Sequence, residues 1–221
     1  MDKNVRSGKK ALIIGATGLV GRYCLNGLLE ASQYSEVIAL VRKPCELDHP
    51  KLRVVLTDFQ NISDLLSTVE VDDLFCCLGT TIKKAGSREN FRKIDFELVV
   101  NIAEIMRQLG AQQFLVISAM GANKESKIFY NQVKGEMEEA VQMLRYPCLR
   151  IIRPSLLLGP REEFRLGEKI GVILTPLLKH ILIGGMKKYR PVEAQSVADF
   201  MVMIAGEMPD AGIHIYESDM L

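Results

Sequence analysis

The sequence predicts an α/β protein: a doubly wound parallel sheet with a small C-terminal segment covering a substrate pocket. Three observations carry this. Strand-like and helix-like segments alternate through the first two thirds of the chain, which is the order of βαβ units. The strand segments are continuous runs of Val, Ile and Leu, as in a parallel sheet buried on both faces. A cluster of glycines separates the first strand from the first helix.

The elements follow in order. Residues 10–14 read as a buried strand. A helix is expected over 18–30, with Leu19, Tyr23, Leu25, Leu28 and Leu29 on its apolar face. Strands are expected over 36–41, 52–56 and 72–78. A polar loop through Lys83, Lys84 and Gly86 leads into one long helix, 89–109. A fifth strand is read at 113–118, a helix at 129–144 and a sixth strand at 149–152. From Pro154 the chain is richer in Gly and Pro and less regular, as expected of a segment that leaves the sheet to shape a pocket.

The 221 residues suit one α/β domain, 1–221, with 154–221 contributing the pocket cover. The apolar share of 48% and charged share of 25% are ordinary for a globular chain. A net charge of +1 gives no electrostatic case for nucleic acid or an anionic membrane. The five cysteines, at 24, 45, 76, 77 and 148, form no Cys-x-x-Cys pair and read as reduced core filler. His49, His180 and His214 share no metal-ligand spacing, so no metal is expected. The polar N-terminus MDKNVRSGKK lacks an apolar signal region, and a cytoplasmic location is expected. Residues 170–183 are strongly apolar but are interrupted by Pro176, Lys179 and His180. A pocket lid is the preferred reading there and a subunit interface the second, rather than a membrane span.

Gly15-Ala16-Thr17-Gly18-Leu19-Val20-Gly21 has the spacing of a dinucleotide-binding loop. Gly15 allows a tight turn out of the strand, Gly18 a close approach to pyrophosphate, and Gly21 close packing of helix on sheet. The helix N-terminus offers N–H groups and partial positive charge to phosphate. The strand before the loop and the helix after it supply the required context, and the architecture expected is the Rossmann fold. About twenty residues further on, an NAD binder keeps a carboxylate for the ribose 2′-hydroxyl. Here Arg42 and Lys43 stand at that point. A guanidinium suits a 2′-phosphate through paired, charge-assisted hydrogen bonds, so NADP(H) is the expected cofactor, with Arg22 a second cationic candidate.

Tyr130 and Lys134 are four apart on one helix face. Ser118 ends the fifth strand, on the edge where open α/β sheets place ligands. These residue types suit carbonyl reduction. Tyr130 can donate a proton, Lys134 can favour its phenolate form, and Ser118 can hold the carbonyl oxygen.

The glycine loop, Ser118 and Tyr130-Asn-Gln-Val-Lys134 together resemble the short-chain dehydrogenase/reductase superfamily. Leu78-Gly79-Thr80-Thr81, Lys84-Ala85-Gly86-Ser87 and Phe129-Tyr130-Asn131-Gln132-Val133-Lys134-Gly135-Glu136 resemble its atypical, oxidoreductase-like Tat-interacting-protein branch. The resemblance runs from about residue 10 to Arg161, and more loosely beyond. It implies a Rossmann fold, an NADP(H) site and reductase activity. Ser118, Tyr130 and Lys134 would be the catalytic group, with Lys134 also holding the nicotinamide ribose. Leu78, Gly79 and Thr80 would line the cofactor, and the Arg153-Pro154-Ser155 backbone would meet the nicotinamide amide. Arg153 is alternatively a structural ion-pair partner. Asp58-Phe59 ends the third strand, placed either to meet adenine or to serve as a turn residue and a core aromatic.

Two departures stand out. The better-known members carry Asn-Ala-Gly where this chain has Cys77-Leu78-Gly79. The Asn that completes their proton relay has no clear counterpart, and Asp95 occupies the comparable part of the helix. The main expectation is an NADP(H)-dependent oxidoreductase acting on a small carbonyl substrate. The alternative is an NADP(H)-binding regulatory or redox-sensing protein with a protein partner and little turnover. A homo-oligomer is left open.

Overall fold

The structure is a computed structural model that describes residues 8–44, 47–160, 187, 189–207 and 211–221. Among these residues, seven parallel strands form one sheet in the order β3-β2-β1-β4-β5-β6-β9. The strands are β1 (Lys9–Ile14), β2 (Tyr34–Val41), β3 (Leu52–Leu56), β4 (Asp73–Cys76), β5 (Gln113–Ile117), β6 (Cys148–Arg153) and β9 (Gly212–Glu217). Two short strands, β7 (Leu157–Leu158) and β8 (Val192–Glu193), pair separately. The strand order reverses between β1 and β4, and this switch point is where open α/β sheets bind ligands.

The inner strands bury both faces, which is why they read as continuous apolar runs. One face is covered by α1 (Gly21–Glu30) and α7 (Ala194–Gly206), which pack on each other. Leu25, Leu28, Val197 and Met201 are among the apolar side chains of that layer. The other face is covered by α2 (Ile62–Leu66), α5 (Leu98–Gln108) and α6 (Phe129–Met143), around Leu12, Phe114, Ile102, Met106 and Met137.

Four elements differ from the sequence expectation. The helix expected from residue 18 begins at Gly21, because Thr17–Val20 remain in the loop. The helix expected over 89–109 runs over 88–108 but changes its hydrogen bonding partway, and the polar loop before it holds a further short helix. α3 (Ile82–Ala85) ends at Gly86 in the left-handed region, and α4 (Arg88–Arg92) starts from a Ser87 side-chain cap. A π-helical turn, Lys93–Glu97, then joins α4 to α5. The fourth strand stops at Cys76, leaving Cys77 and Leu78 in the turn. Finally, the chain from Val192 rejoins the layers as β8, α7 and β9. Of the C-terminal third, residues 161–186 lie outside the described residues, and with them the lid read at 170–183. Cys45 and His180 are outside them as well.

At the N-terminal edge of the sheet, the Tyr34 hydroxyl donates to Asp73 Oδ2 at 2.6 Å, and Lys9 Nζ lies 3.2 Å from the same oxygen. Burial pushes the Asp73 carboxyl above its ordinary range, against the pull of the Tyr34 hydrogen bond and the Lys9 charge. A carboxyl raised in the folded state loses stability as pH rises through its folded pKa. Tyr34→Phe removes the largest of the compensating donors, leaving Lys9 and Gln113. Its cost should be about 1–3 kcal/mol at neutral pH and should shrink as the pH falls through the raised pKa of Asp73, already above the ordinary carboxyl range, because protonated Asp73 no longer needs the donor. Urea unfolding of both proteins at several pH values measures this, and a pH-independent penalty would contradict the assignment.

Candidate active site

The glycine loop leaves β1 at the switch point. Gly15 has φ +80°, and a Cβ there would lie 2.6 Å from the Cys77 carbonyl group. The turn after β1 therefore packs backbone to backbone on the turn after β4, and only glycine fits. Gly18 N–H donates to Gly15 O at 2.9 Å, closing the loop. Gly21 serves a contact other than the expected one with the sheet: a Cβ would overlap the Gly15 carbonyl oxygen, so its role is to seat α1 on the loop itself. No side chain caps α1, and its first turn holds no carboxylate. The start of α1, with Thr17, Leu19 and Val20 in the loop leading into it, thus keeps the N–H character that a pyrophosphate needs.

At the ends of β2 and β3, Arg42, Thr57 and Asp58 line a cleft of about 470 Å³. Arg42 and Lys43 are exposed, and neither makes an ion pair among the described residues. Asp58 Oδ1 accepts from Gln60 N–H at 2.9 Å, and Phe59 sits at φ +66° and packs on the core. Both readings of this pair thus have support: a tight turn with a core aromatic, and a carboxylate facing the cleft.

Arg22 is placed elsewhere. Its Nη2 donates to the Pro160 carbonyl at 2.9 Å and its guanidinium lies over the Tyr23 ring. It ties α1 to the loop after β7.

On the other side of the switch point, Ser118 follows β5 and Lys134 sits on α6. Ser118 N–H donates to Ile152 O at 2.7 Å, which fixes the residue, while its buried Oγ has no hydrogen-bond partner. Buried hydroxyls are normally paired, so this one is available to a ligand. Tyr130 is half-buried and its ring lies 5.4 Å from that of Phe91. Lys134 is only 2% exposed, and its Nζ lies 2.8 Å from Oδ1 of Asp95, which is 0% exposed. Asp95 Oδ2 accepts from Thr80 N–H at 3.0 Å. Burial pulls the Lys134 ammonium down, but its pairing with Asp95 and the nearby Tyr130 outweigh it, and the net direction is up. Burial pushes the Cys76 thiol beneath this pair up to about 12, so it stays a neutral core group. Cys24, Cys76, Cys77 and Cys148 are all free.

The residues after β6 divide. Arg153 forms a two-pronged ion pair with Glu138 on α6, at 3.0 and 2.6 Å, and a third contact with Glu217 on β9 at 3.0 Å. Its side chain is the structural ion-pair partner of the two readings. Ser155 Oγ bonds the Arg190 carbonyl and accepts from Ser218. Pro154 O accepts from Met120 N–H at 3.0 Å, joining the exits of β5 and β6. The side chains of Arg153 and Ser155 are thus committed to the protein, leaving only backbone to meet a ligand. Among the described residues, no group of His, Cys, Asp and Glu is placed to hold a metal ion, and no helix is long and apolar enough to cross a membrane.

Sequence reasoning placed Asp95 near the relay position but missed its ion pair. The apolar periodicity of 89–109 continues through the π turn, so the signal was present only as a carboxylate in a helix that elsewhere buries apolar groups.

A phosphate-ready loop at the switch point and a Ser, Tyr and Lys group beyond β5 define a nicotinamide-dinucleotide-binding Rossmann protein. Comparison with known proteins agrees. The family described as NAD(P)H-binding matches residues 15–157, and the chain belongs to it. The chain's fold and relatives agree with the resemblance to the short-chain dehydrogenase/reductase superfamily noted in the sequence. It is 34% identical over 164 residues to Protein HTATIP2 of Rattus norvegicus, covering 72% of this chain and 67% of that one. It is 30% identical over 210 residues to Protein FMP52, mitochondrial, of Eremothecium gossypii, covering 94% and 93%. A UDP-glucuronic acid 4-epimerase from Bacillus cereus, solved with UDP-glucuronic acid and NAD, shares the fold. Its TM-score is 0.70 at 15% identity, over 94% of this chain and 77% of that one. A short chain dehydrogenase family protein from Francisella tularensis gives 0.65 at 12% identity, over 96% and 98%.

Proposed function

We propose that this NAD(P)H-binding, oxidoreductase-like protein reduces a small carbonyl substrate with NADP(H). The observation that carries the reading is the buried, unpartnered Ser118 hydroxyl at the C-terminal end of β5, with Lys134 and Tyr130 on the following helix. A bound nicotinamide supplies the hydride to the carbonyl carbon. Ser118 Oγ–H holds the carbonyl oxygen. As the C=O π bond breaks, Tyr130 gives its phenolic proton to that oxygen, and the phenolate left behind is stabilised by the Lys134 ammonium. Lys134 also has N–H donors left for the nicotinamide ribose. Leu78, Gly79 and Thr80 line the cofactor from the β4 side.

A second reading is a cofactor-binding regulator with a protein partner and little turnover. One observation favours it: Asp95 offsets the Lys134 charge that would activate Tyr130. NADPH oxidation against a panel of carbonyl compounds separates the two. The cytoplasm is the proposed compartment, although the FMP52 relatives are named mitochondrial. Imaging of the tagged full chain tests it, and co-localisation with mitochondria would refute it.

Tyr130→Phe keeps the ring on Phe91 and removes the proton donor. Turnover should fall by about 10²–10⁴ with NADPH affinity little changed. Retained activity would show that another group is the acid.

For cofactor choice, the exposed Arg42 at the β2 end is proposed to take the 2′-phosphate. One charged hydrogen bond is worth about 1.5–3 kcal/mol, so NADPH should bind at least about tenfold more tightly than NADH. Arg42→Asp should abolish or reverse that preference. Calorimetric titration of both cofactors decides it, and equal wild-type affinities would leave Arg42 a surface cation.

A further inference from the structure

We propose that Asp95 is a positioning residue whose single carboxylate fixes both the Lys134 ammonium and the Leu78–Thr80 turn, keeping the lysine charged and aimed at the cofactor. This rests on the reading of Lys134 as the residue that holds the ribose.

The geometry is specific. Oδ1 takes the ammonium at 2.8 Å and Oδ2 takes the Thr80 N–H at 3.0 Å. One side chain therefore sets the distance between α6 and the turn after β4. The carboxylate that makes both contacts lies in the π turn, Lys93–Glu97. Such turns are frequent at functional sites. Asp95 and Lys134 exclude water from each other, at 0% and 2% exposure, so neither charge has a solvent alternative. The contact at Oδ1 is an ion pair without hydrogen-bond geometry, so the three donors of the ammonium are not spent on it.

Several ionisable groups face Lys134. Asp95 lies on the π turn and Cys76 on β4, with Tyr130 on its own helix. Glu138, one turn further along α6, is occupied by Arg153. Asp95 is therefore the carboxylate left to balance the lysine, and without it burial alone would favour the neutral amine.

Asparagine at position 95 offers one oxygen to two donors and turns an N–H₂ towards the other. The Lys134 amine then loses its proton at lower pH, and its contact with the ribose goes with it. The test is NADPH affinity against pH, by quenching or calorimetry, for wild type, Asp95→Asn and Asp95→Glu. Wild-type affinity should stay level from about pH 7 to about pH 10. Affinity of the Asn variant should fall by at least about tenfold over that interval, the effect of a buried lysine losing its partner. The Glu variant, which keeps the charge, should restore a level profile. A lowered Tm with a wild-type pH profile would make Asp95 merely structural and overturn the proposal.

If the Asn variant does not fold, the wild type still decides. The ¹³Cε resonance of Lys134, assigned with Lys134→Arg, should stay at the ammonium shift throughout. Titration near neutral pH would overturn the proposal. None of these readouts needs turnover. Absent carbonyl reduction with a shifted binding profile would refute the reductase reading alone, and reduction with an unshifted profile would refute this inference alone.

Discussion

The candidate site depends on a buried ion pair between two helical segments far apart in sequence. Asp95 and Lys134 are 39 residues apart and meet where water does not reach. Removing one partner of such a pair typically costs about 3–5 kcal/mol, because the other charge is left uncompensated. The pair therefore tolerates little displacement of α6 relative to α5 and the π turn. The stripe on α6 continues this logic. Tyr130, Lys134 and Glu138 are spaced by four, so they share a face. Lys134 is held by Asp95, and one turn later Glu138 is held by Arg153. Tyr130, one turn before Lys134, is braced by Phe91. The orientation of the tyrosine thus follows from two ion pairs and a ring contact.

The glycine loop is constrained differently. Gly15 is pressed against the Cys77 backbone and Gly21 against Gly15. This fixes the loop by sterics rather than by charge and leaves the N-terminus of α1 uncapped. The β1 and β4 turns touch, and Thr80, after the β4 turn, is bonded to Asp95. The glycine loop and the Asp95–Lys134 pair are thus linked through one short path of backbone.

Much of this was legible in the sequence. β1 through β6 were found because buried parallel strands are uninterrupted apolar runs, and the glycine loop because its spacing came with a strand before it and a helix after it. β9 was missed because Gly212-Ile-His-Ile-Tyr-Glu lies at the sheet edge with Ile213 and Ile215 exposed, so its pattern is mixed. The π turn was invisible because apolar spacing shows that a helix exists, not how its hydrogen bonds are paired. Arg22 read as a candidate cation for the 2′-phosphate, and Arg153 either as backbone at the nicotinamide or as a structural ion-pair partner. What separates them is the acceptor each reaches, Pro160 O for one and Glu138 for the other, and those partners come from elements distant in sequence.

The two ends of the site obey different electrostatics. Around Lys134 the charges are buried, so their interaction is strong and little screened. At the β2 edge, Arg42, Lys43 and Asp58 are exposed, and salt weakens what they contribute. A reaction centre needs fixed geometry and fixed charge, which burial supplies. Recognition of a 2′-phosphate needs a strong donor at the right place but no rigid frame, because the phosphate brings its own charge. Under the proposed function, discrimination between cofactors would rest on one or two exposed cations, whereas the chemistry would be framed by a carboxylate and an ammonium buried against each other.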